Sequence, residues 1–87
     1  MFVTTDMAFA AYLLATKKLK FLQILPHGTA SADICFDDPA NHGQTLEQEF
    51  VNGDALVSAS AFHYNLRSLR RQIQIAMQRQ SAGVSRG

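Results

Sequence analysis

The sequence has little cysteine, no long apolar run and no cluster of glycines, and each shortage excludes a class of protein. Its single cysteine, Cys35, cannot form a disulfide within the chain, which is typical of a reducing compartment. No apolar run approaches the roughly 18 residues that predict a membrane span. The apolar N-terminus carries Asp6 and lacks the basic segment of a signal peptide. We therefore expect a cytoplasmic protein that does not interact with a membrane.

The spacings typical of a metal site are also missing. The soft metal ligands are His27, His42, His63 and Cys35. No two of them stand at C-x-x-C or H-x-x-x-H spacing, and histidines in polar loops are usually solvated. A zinc site assembled from these scattered residues is the weaker alternative. We expect no metal site and no cofactor.

Asp33, Asp37 and Asp38 offer carboxylates on the polar face and at the end of a predicted strand. Paired carboxylates carry out acid–base chemistry only inside a cleft that raises the pKa of one of them. Two strands and three helices leave little room for such a cleft. The dispersed glycines form no phosphate loop, and no serine has a nucleophile-elbow context. We predict no catalytic residues and no small-molecule substrate, so the protein is not an enzyme.

The longest helical pattern covers residues 58–80, which contain no Gly or Pro. Its apolar residues recur every three or four positions, which places them on one side of an α-helix. They are Phe62, Leu66, Leu69, Ile73 and Ala76 or Met77. Ser58 or Ser60 can cap the first turn, and Gly83 lies just beyond the end. A helix of about 22 residues is roughly 33 Å long, and its apolar side needs a surface to lie on.

A shorter helix and a hairpin are predicted before it. Thr4, Thr5 and Asp6 form a helix-start signal, with a hydroxyl as the cap, and the helix continues to about residue 17. Residues 19–25 are apolar, and residues 30–37 alternate between apolar and polar side chains. Because residues 26–29 contain proline and glycine, we predict a turn there and an antiparallel hairpin with one face covered by helices.

The remaining helix and the fold class follow from the turn signals. Thr45 to Gln48 has the form of a capping box, which predicts a short helix that Asn52 and Gly53 end. The predicted order is α–β–β–α–α, a small single-domain α+β fold in which an antiparallel β-hairpin packs against helices and the long helix is C-terminal. We expect residues 1–80 to form one compact domain. Residues 81–87 have little to bury and are predicted to be a flexible tail.

Five short motifs carry a resemblance to a known family. They are Thr5-Asp6, Ala10-Ala11-Tyr12-Leu13-Leu14-Ala15, Phe36-Asp37-Asp38-Pro39, Phe50-x-Asn52-Gly53 and Leu66-x-x-Leu69-Arg70. Together they span roughly residues 3–75, and they correspond to caps, apolar stripes and turns. The chain resembles a family of small uncharacterised domains from bacterial genomes and mobile elements such as phages and plasmids. The resemblance implies a fold that agrees with the predicted one, and it implies no activity and no functional residues.

Charge is distributed unevenly along the chain. Residues 1–54 hold all seven acidic residues against three lysines, a net charge of −4, whereas residues 55–87 hold five arginines and no acid, a net charge of +5. Much of the positive charge falls on the side of the long helix away from Leu66, Leu69 and Ile73. We define the Arg face as the six residues on that side: His63, Arg67, Arg70, Arg71, Gln74 and Gln78.

The Arg face has three interpretations. It is solvated, or it pairs with the domain's own acids, such as Asp37 and Glu47. It binds a protein or a second copy of the chain, which uncovered Ile73, Ile75 and Met77 would also favour. It binds DNA or RNA weakly, because Arg and Gln side chains on a helix reach phosphates and base edges. Our first hypothesis is a small non-enzymatic interaction or regulatory module that binds a protein partner or itself through its long C-terminal helix, and nucleic-acid binding by the Arg face is the alternative.

Overall fold

The computed structural model describes the backbone of residues 1–27, 31–53 and 55–86 and the side chains of residues 1–26, 31–53 and 55–79. The elements in these ranges are β1 (Phe2–Thr4), α1 (Met7–Thr16), β2 (Lys20–His27), β3 (Ser31–Asp37), α2 (Gly43–Val51) and α3 (Ala59–Arg86). The predicted α+β class is confirmed, and a strand that the sequence analysis did not predict, β1, precedes the predicted elements. Within these ranges no helix combines the length and the apolar character that a membrane span needs.

The three strands form one antiparallel sheet in the order β1-β3-β2, so β3 is central and the predicted hairpin of β2 and β3 is confirmed. Phe36 of β3 lies opposite Phe2 on one side and Phe21 on the other. These rings and Ile34 share the face that packs against the helices. A β-bulge between Phe21 and Gln23 interrupts the pairing of β2.

The ends of the hairpin and its outer face differ from the prediction. Pro26 belongs to β2, which continues through His27, so the first half of the predicted turn is strand. Residues 28–30, which include the rest of that turn and the predicted inward position of Ala30, lie outside the described residues. The alternation of residues 30–37 predicts Cys35 on the polar face of the strand, with Asp33 and Asp37, yet Cys35 is only 1% exposed. It is paired with Val3 and Gln23 on the two flanking strands, which cover it from both sides.

Helix α1 is the centre of the fold. Its consecutive residues 9–13 are all buried, because the sheet, α2 and α3 cover different sides of it. The carboxylate of Asp6 accepts hydrogen bonds from the amides of Ala8 (3.0 Å) and Phe9 (3.1 Å), so Asp6 is the N-cap. The predicted threonine cap is therefore wrong, and the hydroxyl of Thr4 instead accepts a hydrogen bond from the amide of Asp6 at 3.0 Å.

Helix α3 lies against α1 and β2, and its predicted apolar stripe faces the core. Leu69 is completely buried, and Phe62, Leu66 and Ile73 are half-buried and packed against the core. The hydroxyl of Ser58 accepts a hydrogen bond from the amide of Ala61 at 3.4 Å, as one of the two predicted caps requires. The packing of this stripe sets which side of α3 faces outward.

The end of α3 was predicted too early. The helix continues to Arg86 and not to Gln80, because a single residue such as Gly83 costs only about 1 kcal/mol relative to alanine and does not by itself end a helix. Its 28 residues correspond to about 42 Å, and the longest dimension of the molecule is 46 Å. The flexibility predicted for residues 81–87 stays a prediction. Helix α2, in contrast, ends as predicted, before Gly53 with φ of 80°.

The start of α2 corrects the predicted capping box of Thr45 and Gln48. The helix begins two residues before Thr45, and the carboxylate of Asp38 accepts hydrogen bonds from the amides of His42 (2.8 Å) and Gly43 (2.7 Å). Burial alone raises the pKa of Asp38, but these two amides, with the nearby charges of His42 and the N-terminus, hold the pKa below its ordinary value of 3.8. Asp38 is therefore a structural carboxylate that satisfies free amides at the helix start.

Strand β1 connects the sheet to α1 and α2 through an aromatic cluster. Phe2 and Phe9 meet edge to face at 5.8 Å between ring centroids, and Phe50 of α2 lies 5.5 Å from Phe9 and 5.3 Å from Tyr12. The ring of Phe2 also covers Gly43 so closely that a Cβ atom there would collide with it. The first residue of α2 therefore has to be small.

Candidate functional site

The Arg face is an exposed surface on α3, as the helical spacing predicts. All six of its side chains, from His63 to Gln78, are exposed. At 3.6 residues per turn they fall within an arc of about 100° and extend over roughly 22 Å of the helix axis. The opposite side of α3 carries the buried Leu69 and the half-buried Leu66 and Ile73, so the packing against α1 turns the Arg face outward. The structure thus brings all six predicted site residues onto one surface.

The guanidinium groups of Arg67, Arg70 and Arg71 make no hydrogen bond or ion pair within the described part of the chain. Asp37 and Glu47, which the sequence offered as internal partners, are both among the described side chains. These two acids therefore form no ion pair with the three arginines. Because α3 carries no acidic residue, its own i,i+4 neighbours cannot neutralise them either. The Arg face therefore concentrates positive charge that no described side chain neutralises.

An aromatic side chain borders this charge. Tyr64 is 72% exposed and follows His63 directly on α3. With Arg67, Ser68 and Arg71 it lines an open depression of about 470 Å³. A ring beside guanidinium groups offers both stacking and hydrogen bonding to a partner. The exposure of Tyr64 therefore adds an aromatic side chain to the edge of the Arg face.

The sequence suggested that Ile73, Ile75 and Met77 are uncovered, and this is only partly correct. Ile73 and Met77 are half-buried, and Ile73 packs against the core, so neither offers a free apolar surface. Ile75 is 40% exposed. It lies on the side of α3 that faces β2, away from the centre of the Arg face. Of the three residues, Ile75 alone is available to a second copy or another protein.

A second concave surface lies between β2 and α3, and the sequence analysis missed it. This β2–α3 groove has a volume of about 260 Å³ and is lined by Phe21, Gln23, Ile24, Gln72, Ile75, Ala76 and Arg79. Its two walls come from segments that are about 50 residues apart in the chain. No periodicity within either segment indicates that they meet, although the exposed Ile75 among polar neighbours was a local signal.

The residues considered for catalysis and metal binding are dispersed or engaged. Asp38 caps α2, Asp37 is exposed at the end of β3, and Asp33 is half-buried on the outer face of the sheet. Among the described residues no three His, Cys, Asp or Glu side chains come close enough together to hold a metal ion. Cys35 is a buried free thiol in the centre of the sheet. His27 has no described side chain, so its predicted solvation is not addressed by the structure.

Comparisons with known proteins found no match. No protein-family model matches the chain, and neither a curated protein nor a solved structure does. The resemblance to small domains of bacteria and mobile elements therefore stays a prediction. The proposed function rests on the chemistry of the Arg face.

Proposed function

We propose that this protein is a small non-enzymatic interaction module, located in the cytoplasm, that binds another protein through the Arg face of α3. The observation that carries the proposal is the set of three exposed arginines that have no partner among the described residues, bordered by the exposed Tyr64. The partner surface is acidic, and a second copy of the chain is one such partner, because residues 1–54 have a net charge of −4.

The composition of the surface favours a protein partner. Arg and Tyr are enriched at the residues that dominate protein interfaces, because each combines a large apolar area with directional hydrogen bonds. The side chains of Arg67 and Arg71 flank Ser68 and Tyr64 around the same depression. A carboxylate that enters it meets two guanidinium groups, and a neighbouring apolar side chain can cover the tyrosine ring.

The free energy of such binding comes from ion pairs combined with the burial of Tyr64, and not from single ion pairs. Exposed ion pairs contribute only about 0.2–1 kcal/mol each. Three of them give at most about 3 kcal/mol, which is less than the roughly 8 kcal/mol of a micromolar complex. Burial of Tyr64 against the partner has to supply much of the difference, since aromatic anchors and desolvated arginines carry most interface energy. Tyr64 is therefore part of the proposed surface.

Capture from the native host's lysate, with and without nuclease, tests this function. We compare the parent, a variant with Arg67→Gln, Arg70→Gln and Arg71→Gln, and a control with Arg79→Gln. The control removes one charge from the same helix on its other side. We expect a protein that the parent and the control retain after nuclease treatment and that the triple variant loses. Equal capture of the same protein by all three proteins would contradict the proposal.

Self-association is measured on the purified protein. Sedimentation of the parent at increasing concentration distinguishes a monomer from a dimer. A dimer that uses the Arg face dissociates in the triple arginine variant and weakens in high salt, because charge pairs at an interface rim are screened. If the parent stays monomeric, a second copy of the chain is not the partner, and the partner is a different protein.

The second candidate function is weak binding of DNA or RNA. The observation that favours it is that arginines and glutamines, the side chains that reach phosphates and base edges, share one exposed helix face. If Arg67, Arg70 and Arg71 each neutralise one phosphate of duplex DNA, the slope of log K against log salt is about −2.7. Affinity then falls roughly 40-fold between 50 and 200 mM salt.

Fluorescence anisotropy at low salt separates the two candidates. A labelled duplex and a labelled single strand are each titrated with the parent protein. If the protein binds nucleic acid, we expect non-specific dissociation constants of roughly 10–100 µM at physiological salt. Arg70→Ala should make the slope of log K against log salt shallower by about one unit. Absence of binding to both probes eliminates this candidate.

A further inference from the structure

The β2–α3 groove lies beside an open edge of the sheet. Strand β2 is the last strand in the order β1-β3-β2, and β3 is its only partner in the described part of the chain. The outward N–H and C=O groups of such an edge can pair with an added strand. Extended peptides bind several domain types by this strand addition, in which backbone hydrogen bonds provide affinity and a neighbouring pocket provides specificity.

Helix α3 supplies the wall that turns this edge into a groove. Ile24 and Phe21 of β2 are half-buried and Ile75 of α3 is 40% exposed, so the groove has an apolar lining that remains accessible. Its volume of about 260 Å³ is below the roughly 300–1,000 Å³ of pockets that enclose small-molecule ligands. It therefore suits one or two apolar side chains of a peptide.

The irregularities of β2 favour a short peptide over a second copy of this strand. The bulge between Phe21 and Gln23 interrupts regular pairing near the start of β2. Pro26, near the end of β2, has no backbone N–H to donate. Bulges, prolines and edge lysines such as Lys20 protect edge strands from association with one another. A symmetric pair of β2 strands would contain each irregularity twice, whereas a short segment can pair with the regular window around Ile24 and Leu25.

Arg79 places a positive charge at the groove. Arg79 lines it and is exposed, and its guanidinium group has no hydrogen bond or ion pair among the described residues. The polar side chains of Gln23 and Gln72 complete the rim of the groove. The side-chain amide of Gln72 donates a hydrogen bond to the hydroxyl of Ser68 at 3.1 Å. None of the described residues that line the groove is acidic. The complementary ligand therefore carries a carboxylate next to its apolar side chain.

We infer that the β2–α3 groove binds a short extended peptide that adds a strand to the edge of β2, inserts an apolar side chain between Ile24 and Ile75, and pairs a carboxylate with Arg79. This surface is separate from the Arg face, so the two proposals succeed or fail independently. The ligand class is a peptide with alternating apolar residues and one carboxylate, from an Asp or Glu side chain or from the C-terminus.

Selection from a phage-displayed library of random heptapeptides tests the inference. Enriched sequences are synthesised with a fluorescein label, and their affinity is measured by anisotropy. We expect Arg79→Gln to weaken binding about tenfold, because the ligand loses one charge-assisted hydrogen bond. Ile75→Lys should weaken it at least as much. The control Lys18→Gln removes one charge from an exposed position outside both the groove and the Arg face, and it should leave the affinity unchanged.

Two changes to the peptide complete the test. Methylation of alternate backbone nitrogens should abolish binding, since strand addition needs those amides. C-terminal amidation distinguishes a C-terminal carboxylate from an acidic side chain. Amide chemical shifts of the labelled protein should change mainly at residues 23–25 and near Arg79. The inference is overturned if no peptide is enriched, or if selected peptides shift the Arg face and bind the Arg79→Gln and Ile75→Lys variants as tightly as the parent.

Discussion

The contact between Phe2 and Gly43 offers a sharp test of the packing around α1. Gly43 is buried at the start of α2, and an added Cβ atom would lie 2.6 Å from Cγ and 2.8 Å from Cε1 of the Phe2 ring. The ring cannot move freely because it packs edge to face on Phe9 at 5.8 Å. Gly43→Ala therefore forces either the strand or the helix to shift.

The magnitude follows from two opposing terms. Overpacking of a well-packed site costs about 1–3 kcal/mol. Alanine in place of glycine within a helix contributes roughly 0.5–1 kcal/mol in the other direction. We expect Gly43→Ala to lower the free energy of unfolding by about 1–2 kcal/mol, measured by urea denaturation. In a domain of this size, each 1 kcal/mol lowers Tm by roughly 4–8 °C.

A double-mutant cycle isolates the contact. In the background of Phe2→Ala, the same Gly43→Ala change should be neutral or stabilising, because the colliding ring is gone. The matched control is Gly53→Ala, where nothing lies within 4 Å of the added atom and the cost comes from the φ of 80° alone. Its cost should be the same in both backgrounds. Equal destabilisation by Gly43→Ala with and without Phe2 would refute the predicted contact.

Two further predictions concern the core and the cap of α2. Leu69→Ala removes a completely buried side chain and should lower the free energy of unfolding by about 2–5 kcal/mol, measured by urea denaturation. The control Ile75→Ala on the same helix should lower it by well under half as much. Equal losses would contradict the orientation of α3 described above. The lowered pKa of Asp38 stabilises the fold above the carboxyl's unfolded pKa, and this contribution is lost as pH falls through the lower folded pKa. Below about pH 5, Asp38→Asn should therefore lose stability less steeply than the parent, and parallel curves of Tm against pH would contradict this role.

The elements that the sequence predicted well are those with a clear period. The stripe from Phe62 to Ile73 repeats over several turns of α3, and the alternation around Ile34 extends through a whole strand. Strand β1 has three residues, too few to show a period, and it forms only because β3 offers a free edge far along the chain. The cap of α2 was missed for a similar reason, since Asp38 reaches the amide of Gly43 from five residues away.

The candidate surfaces divide in the same way. The Arg face was predictable because all six residues belong to one helix, whose geometry and buried side determine which residues point outward. The β2–α3 groove was not predictable because it requires Ile24 and Ile75, from distant segments, to lie side by side. Local patterns also failed to show that none of the acids in the part of the chain that the structure describes pairs with Arg67, Arg70 or Arg71.

The central claim is that the Arg face contacts a protein partner, and site-specific photocrosslinking tests it most directly. A benzophenone amino acid replaces Gln74, within the Arg face, or the exposed Gln48 of α2 as the matched control. Both variants are irradiated in lysate of the native host after nuclease treatment. We expect one discrete crosslinked protein from position 74, none from position 48, and loss of the crosslink when Arg67, Arg70 and Arg71 are changed to glutamine. No crosslink from position 74, or the same product from both positions, would contradict the proposed function.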